Sequence, residues 1–162
     1  MAFTKLTRQW GLLTAATVFV LDQITKWVIL DVVELPVLRS IEVTSFFNLT
    51  MVWNYGVSFG MLAHPGTEVP YFLIVATLVI VVALVVWLRK VTDRYVALGL
   101  GFIIGGALGN IIDRIRFGAV ADFLDVHAYG YHWPAFNVAD SAIFIGVIIL
   151  LWDGLLRKSP SA

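Results

Sequence analysis

Two aspartates, Asp122 in VADF and Asp140 in NVADSAI, stand in otherwise apolar stretches. Two close carboxylates cannot both ionise easily, so one keeps its proton. The ionised one can take a proton from water while the protonated one polarises a carbonyl, which is peptide hydrolysis without a covalent intermediate. Residue types alone leave a structural and a catalytic role for this pair equally open, and Asp113 and Asp125 are also available as partners. Other chemistries find little to use. The chain has no cysteine, so disulfides, thiol nucleophiles and thiolate metal sites are excluded, as is a lipid-anchored lipoprotein. His64, His127 and His132 have no ligand-like spacing, so no metal and no cofactor is expected.

The elements that must position these aspartates are set by composition. Of 162 residues, 60% are hydrophobic and 14% charged, with a mean hydropathy of +0.90. A soluble 18.0 kDa chain could not hide that much apolar surface. A soluble enzyme, a disordered tail and a nucleic-acid binder are excluded, and the balance of 11 basic against 11 acidic residues suggests no polyanion partner. An integral membrane protein remains. A bilayer core takes about 20 apolar helical residues to cross, and four runs approach that: 10–30, 69–88, 95–112 and 134–152. A β-rich segment over 31–68 and a loop over 113–133 connect them on one side. No repeat or low-complexity tract appears, so residues 1–162 are read as a single membrane domain.

Orientation follows from the basic residues. Lys5 and Arg8 precede the first span, Arg89, Lys90 and Arg94 fill the turn between the second and third, and Arg157 and Lys158 follow the fourth. With four spans all of these fall on one side, so both termini are expected in the cytoplasm. Segment 31–68, with one arginine against four acids, is expected outside. Aromatic residues suit this arrangement: Trp10, Trp87, Tyr95 and Trp152 at the inner interface, Trp27, Tyr71 and Trp133 at the outer one. The first span also has the basic start and apolar stretch of a cleaved signal peptide. Its run is long, however, no small-x-small site follows it, and its removal would spoil the charge pattern.

Charged groups within spans are costly and mark function by default. Asp22 lies eight residues from the outer end of its span, about 12 Å, and Asp140 six residues from the outer start of its own, about 9 Å. Asn110, Asp113 and Arg114 close the outer end of the third span, and Asp122 follows in the outer loop. Asp22 and Lys26, four apart, can pair on one helix face. Gly106, Asn110 and Arg114 form a stripe, and Gly101, Gly105 and Gly109 another that suits close helix packing. Between the first two spans, Ile41 and Val43 and then Phe47, Leu49, Met51 and Trp53 alternate with polar residues, predicting two strands.

Taken in order, DQITKW at 22–27, FNLTMVWNYGVSFGML at 47–62, GGALGNIIDR at 105–114, GAVADFLD at 118–125 and FNVADSAI at 136–143 resemble the lipoprotein signal peptidase family, signal peptidase II. The resemblance covers the chain from the first span to the last. It departs at Val57-Ser58, where the family often has alanine-like residues. It implies a mainly α, integral membrane fold of four transmembrane helices with a small extracytoplasmic β-sheet and a short outer helix. It implies an aspartyl endopeptidase of the bacterial inner membrane that removes signal peptides from diacylglyceryl-modified prolipoproteins, cutting just before the lipid-modified cysteine. Asp122 and Asp140 match the family's catalytic aspartates. Asp22, Lys26, Asn54, Gly56, Gly106, Asn110, Arg114, Asn137 and Ala139 match its polar and close-packed surroundings. The expected partners are prolipoprotein signal peptides and membrane lipids, with no nucleic acid, and the expected state is a monomer. On this reading Asn54 and Asn110 can hydrogen-bond substrate or oxyanion, or else satisfy loop backbone. Asp22 is expected to support rather than catalyse, and Asp125 to be a solvated loop acid. The loop aspartate Asp122 would meet the helix aspartate Asp140 when the outer segment closes over substrate. Arg114 could anchor Asp113, Asp22 or a lipid phosphate.

Two rivals use the same residues otherwise. A proton-coupled transporter would use Asp22, Lys26 and Asp140 as a relay, but needs polar residues at mid-membrane in the second and third spans, and Thr77 is the one such residue in the second. A non-catalytic scaffold leaves the five motifs unexplained.

Overall fold

A computed structural model describes residues 2–56 and 71–157, with side chains over 6–56 and 71–155. The departure at Val57-Ser58, His64, the start of the second expected span and Lys158 lie outside these residues.

Helix α1 (Ala2–Trp27) continues into a π-helical turn, Val28–Val32. The short helix α2 (Leu35–Leu38) follows, buried through Leu35, and leads into strands β1 (Ser40–Thr44) and β2 (Phe47–Asn54). Helices α3 (Tyr71–Leu88) and α4 (Arg94–Phe117) are joined by the basic turn. Asp93 caps α4, its carboxylate accepting from the Tyr95 and Val96 amides at 2.7 and 3.3 Å. Strands β3 (Val120–Ala128) and β4 (Tyr131–His132) and helix α5 (Val138–Trp152) complete the chain, with a last π-helical turn at Asp153–Arg157.

Among the described residues, four helices are long and apolar enough to cross a membrane, over Leu6–Val32, Tyr71–Leu88, Arg94–Phe117 and Val138–Leu155. α4 is the central one: 67% of its span is buried, against 17–28% for the others. The helices leave Leu13, Val79 and Phe144 facing outward, as suits lipid. Between helices in lipid there is no hydrophobic drive, so close backbone packing has to hold them. Two faces of α4 supply it. Gly101 lies against the Gly11 carbonyl and Gly105 against that of Ala15, while Gly109 lies against the Asp22 carboxylate. On the other face, Gly106 meets the Ala139 carbonyl and Gly99 meets Gly146. A Cβ at Gly101, Gly105, Gly106 or Gly109 would strike its neighbour, so α1 and α5 both approach α4 closely.

The strands form one antiparallel sheet, β1-β2-β3-β4. β1 and β2 lie where the alternation predicts them. A bulge between Leu49 and Val52 breaks the strict alternation, so Asn48 pairs with Asp125 while Val52 pairs with Asp122. Under the sheet, Ile29, Leu35 and Phe123 form a small apolar cluster with Leu49 and Met51.

Two boundaries beside the aspartates differ from the sequence pattern, and the first helix starts at Ala2 rather than Trp10. Over 113–133, where the pattern suggests a loop, α4 runs on to Phe117 and β3 follows, so Asp122 sits on a strand. Residues 120–123 are buried throughout, and a strand covered on both faces shows no alternation to read. The last helix begins at Val138 rather than Pro134, because Phe136 bridges to Leu124 and Asn137 is the helix cap. Asp140 therefore stands in the first helical turn, nearer the helix end than six residues into a span.

Candidate active site

The polar residues gather where the sheet meets the ends of α1, α4 and α5. At the start of α5, Asn137 and Asp140 form a capping box. The Asn137 side chain accepts from the Asp140 amide at 2.9 Å, and the Asp140 carboxylate accepts from the Asn137 amide at 3.2 Å. Asparagine three residues before an acid is a helix-start signature, and here it fixes the rotamer of Asp140. Asn137 is wholly buried, and its amide group also donates to Asp122 Oδ1 at 2.7 Å and to Asn110 Oδ1 at 3.2 Å. One asparagine thus touches both aspartates.

Asn110 supplies the second link, donating to Asp140 Oδ1 at 2.8 Å. Asn54, at the end of β2, donates to Asp122 Oδ2 at 3.1 Å and accepts from the Gly56 amide at 3.1 Å. Arg114 donates to the Gly56 carbonyl at 2.9 Å and reaches the Asn110 carbonyl at 3.4 Å. Neither Asp113 nor Asp22 is hydrogen-bonded to it. Gly106 and Ala139 are the contact that lets α4 and α5 carry Asn110 and Asp140 side by side.

Asp122 is 2% exposed. Burial, and then the charge of Asp140, push its carboxyl up to about 7, against hydrogen bonds from Asn54 and Asn137 and the charge of Lys26. A carboxyl that titrates near neutrality beside a second carboxylate can hold a proton while its neighbour is ionised. Such a pair can activate water and polarise a carbonyl at once.

Asp22, Lys26 and Asp113 form a buried ion cluster below this pair. Lys26 Nζ lies 2.9 Å from Asp22 and 2.6 Å from Asp113, and donates to Asn110 Oδ1 at 3.2 Å. Asp113 is thus a partner of lysine rather than of another aspartate. Its signal was in the sequence: Gly101, Gly105, Gly109 and Asp113 are one four-residue stripe, and it faces α1. Gln23, which no spacing singled out, reaches both Asp22 and Asp113 at 3.2 and 3.4 Å.

Asp125 is not a solvated loop acid. It is 6% exposed on β3, accepting from Asn48 and Thr50 and paired with His132 at 2.8 Å. Burial alone would raise its carboxyl, but the hydrogen bonds and charge of His132, with Asn48 and Thr50, outweigh it and hold the carboxyl below its ordinary value. His127 stacks on His132 at 4.7 Å. Among the described residues no group of His, Asp and Glu is arranged to hold a metal ion.

Residues 14–156 match the family described as signal peptidase (SPase) II. The chain is 42% identical over 150 residues to a protein named lipoprotein signal peptidase from Rhodopseudomonas palustris, covering 90% of this chain and 92% of that one. It is 46% identical over 155 residues to one of the same name from Syntrophotalea carbinolica, covering 91% and 94%. A solved structure described as a bacterial membrane enzyme, determined by the in meso method, is similar with a TM-score of 0.77 and 33% identity, covering 94% of this chain and 93% of that one.

Proposed function

The chain belongs to the signal peptidase II family, and from that premise we propose how this multi-pass membrane peptidase works: Asp122 and Asp140 cut signal peptides from diacylglyceryl-modified prolipoproteins, just before the lipid-modified cysteine. The observation that carries the reading is Asn137, which hydrogen-bonds Asp122 and caps its own helix with Asp140. One buried side chain so ties together two carboxyls, one of them titrating at about 7.

In the proposed reaction Asp122 holds the pair's proton and donates a hydrogen bond to the scissile carbonyl. Ionised Asp140 takes a proton from a water molecule, whose oxygen attacks the carbonyl carbon. The new C–O bond gives a tetrahedral intermediate. Its collapse breaks the C–N bond, and the leaving cysteine amine takes the proton that Asp140 gained. Because the two carboxyls interact, the proton belongs to the pair. Asn54 and Asn137 orient Asp122, Asn110 orients Asp140, and Arg114 holds Gly56 at the site's edge while its charge faces both aspartates.

The site's place in the bundle suits this substrate. The basic turn between α3 and α4 lies at the opposite end of α4 from the sheet, and by the positive-inside rule this supports a dyad near the outer face of the bacterial inner membrane with both termini in the cytoplasm. A diacylglyceryl cysteine anchored in the outer leaflet presents its peptide bond at that depth. The working unit is a single membrane domain acting as a monomer. The test is cleavage of a lipidated prolipoprotein by purified Asp122→Asn and Asp140→Asn. Each is expected to insert and fold but not to cleave, and activity retained in either overturns the assignment.

A further inference from the structure

The buried ion cluster of Asp22, Lys26 and Asp113 carries out no step of the reaction above, yet each of its branches ends at the dyad. Asp22 Oδ1 accepts the backbone amide of Ala139 at 3.0 Å, the residue before Asp140. Asp113 Oδ2 accepts the backbone amide of Ala121 at 3.2 Å, the residue before Asp122. Lys26 joins the two carboxylates, and its third bond goes to Asn110, which holds Asp140 directly. The three side chains are at most 3% exposed.

Asp122 rides on a strand of the sheet and Asp140 on the first turn of a membrane helix; Asn137 and the Leu124–Phe136 bridge join these two elements, and the ion cluster holds the residue just before each aspartate. A charge-assisted bond to the amide just before each aspartate fixes the backbone that carries it. A single lysine then sets the distance between the two carboxylates that make those bonds. The fold makes room for this. Gly109 has no side chain where the Asp22 carboxylate lies, and a Cβ there would collide with it. Gln23 braces both carboxylates from the side.

We propose that Asp22, Lys26 and Asp113 are positioning residues, which hold the Ala139 and Ala121 amides and through them keep Asp140 and Asp122 in register. The proposal rests on the dyad reading. It gives a role to Asp113, and it explains why a buried, costly cluster of three charges sits beside the site.

The test measures kcat and KM on monodisperse, folded enzyme with a lipidated prolipoprotein substrate. For Asp113→Ala the Ala121 amide loses its acceptor. A displacement on the order of 1 Å of a catalytic group costs about 100-fold, so kcat is expected to fall by about that much with KM within about threefold. Asp113→Asn keeps an oxygen for the amide and is expected to recover about tenfold of the loss. Wild-type kcat per folded molecule in Asp113→Ala, with the variant merely less stable, overturns the proposal. Should Asp113→Ala fail to fold, Asp113→Asn and Gly109→Ala decide. Each is expected to lower kcat about tenfold with KM kept, and wild-type kcat in both overturns the proposal. Asp122→Asn and Asp140→Asn run alongside: if they cleave, the dyad reading fails. If they are dead while the positioning variants keep full kcat, only the positioning role fails.

Discussion

On strand β3, Asp122 faces the ends of α4 and α5, while Asp125, three residues on, points to the opposite face, where Asn48 and Thr50 of β2 and His132 of β4 meet it. Both are nearly inaccessible, at 2% and 6% exposure, so burial alone does not distinguish them. Their neighbours do. Asp122 has a second carboxylate nearby and titrates at about 7, whereas Asp125 has the half-exposed His132 and two side-chain donors and titrates below its usual value. One face stores a proton and the other stores a charge. A strand can therefore carry a carboxyl raised toward neutrality and one held charged almost side by side, separated by the direction of the side chain.

The comparison breaks most sharply under substitution. Asp122→Asn or Asp140→Asn is expected to cost at least about 10²–10⁴-fold in cleavage rate, the worth of a lost general acid or base, and this is read as initial rate on lipidated substrate. Asn137→Ala removes the side chain shared by the two aspartates, and about 10–100-fold is expected in kcat. The two faces should also answer with opposite signs in stability. The carboxyl of Asp122 is raised in the folded state, so its ionisation opposes folding, and this penalty grows as pH rises from about 4 to about 7. Asp122→Asn should therefore raise Tm at pH 8. Asp125 is lowered, so its charge stabilises above its unfolded value and that support is lost as pH falls. Asp125→Asn should lower Tm slightly at pH 8, by the equivalent of about 0–1 kcal/mol for a pair whose histidine is half exposed. Thermal unfolding of both variants in detergent checks the signs. The smallest effect is on catalysis by Asp125→Asn, expected within about threefold of wild type.

Much of this was legible in the residues. The i,i+4 spacing of Asp22 and Lys26 announced their pairing, and the glycines of α4 announced close helices. The alternation over 47–54 announced a strand. Motif order placed Asp122 and Asp140 among site residues that the fold brings together. What escaped did so for physical reasons. β3 is covered on both faces at its start, so it reads as an apolar loop rather than a strand. Two of the partners of Asp125, Thr50 and Asn48, are 75 and 77 residues away across the sheet, beyond any local pattern, and the third, His132, comes near through the turn into β4. Asp113 continues the glycine stripe, but in sequence it adjoins Asn110 and Arg114 at the end of the third span and reads as a neighbour of their stripe. Its lysine lies 87 residues earlier, on another helix.

The central claim is that Asp122 and Asp140 work as a pair sharing one proton near neutral pH. The pH dependence of kcat/KM tests it most directly, since it reports the free enzyme's essential groups. Above a pH of about 7 Asp122 gives up the proton, so kcat/KM is expected to fall on an alkaline limb near that value, in wild type and equally in Asp125→Asn. A profile flat from pH 6 to about 9, or a limb that moves when Asp125 is replaced, would contradict it.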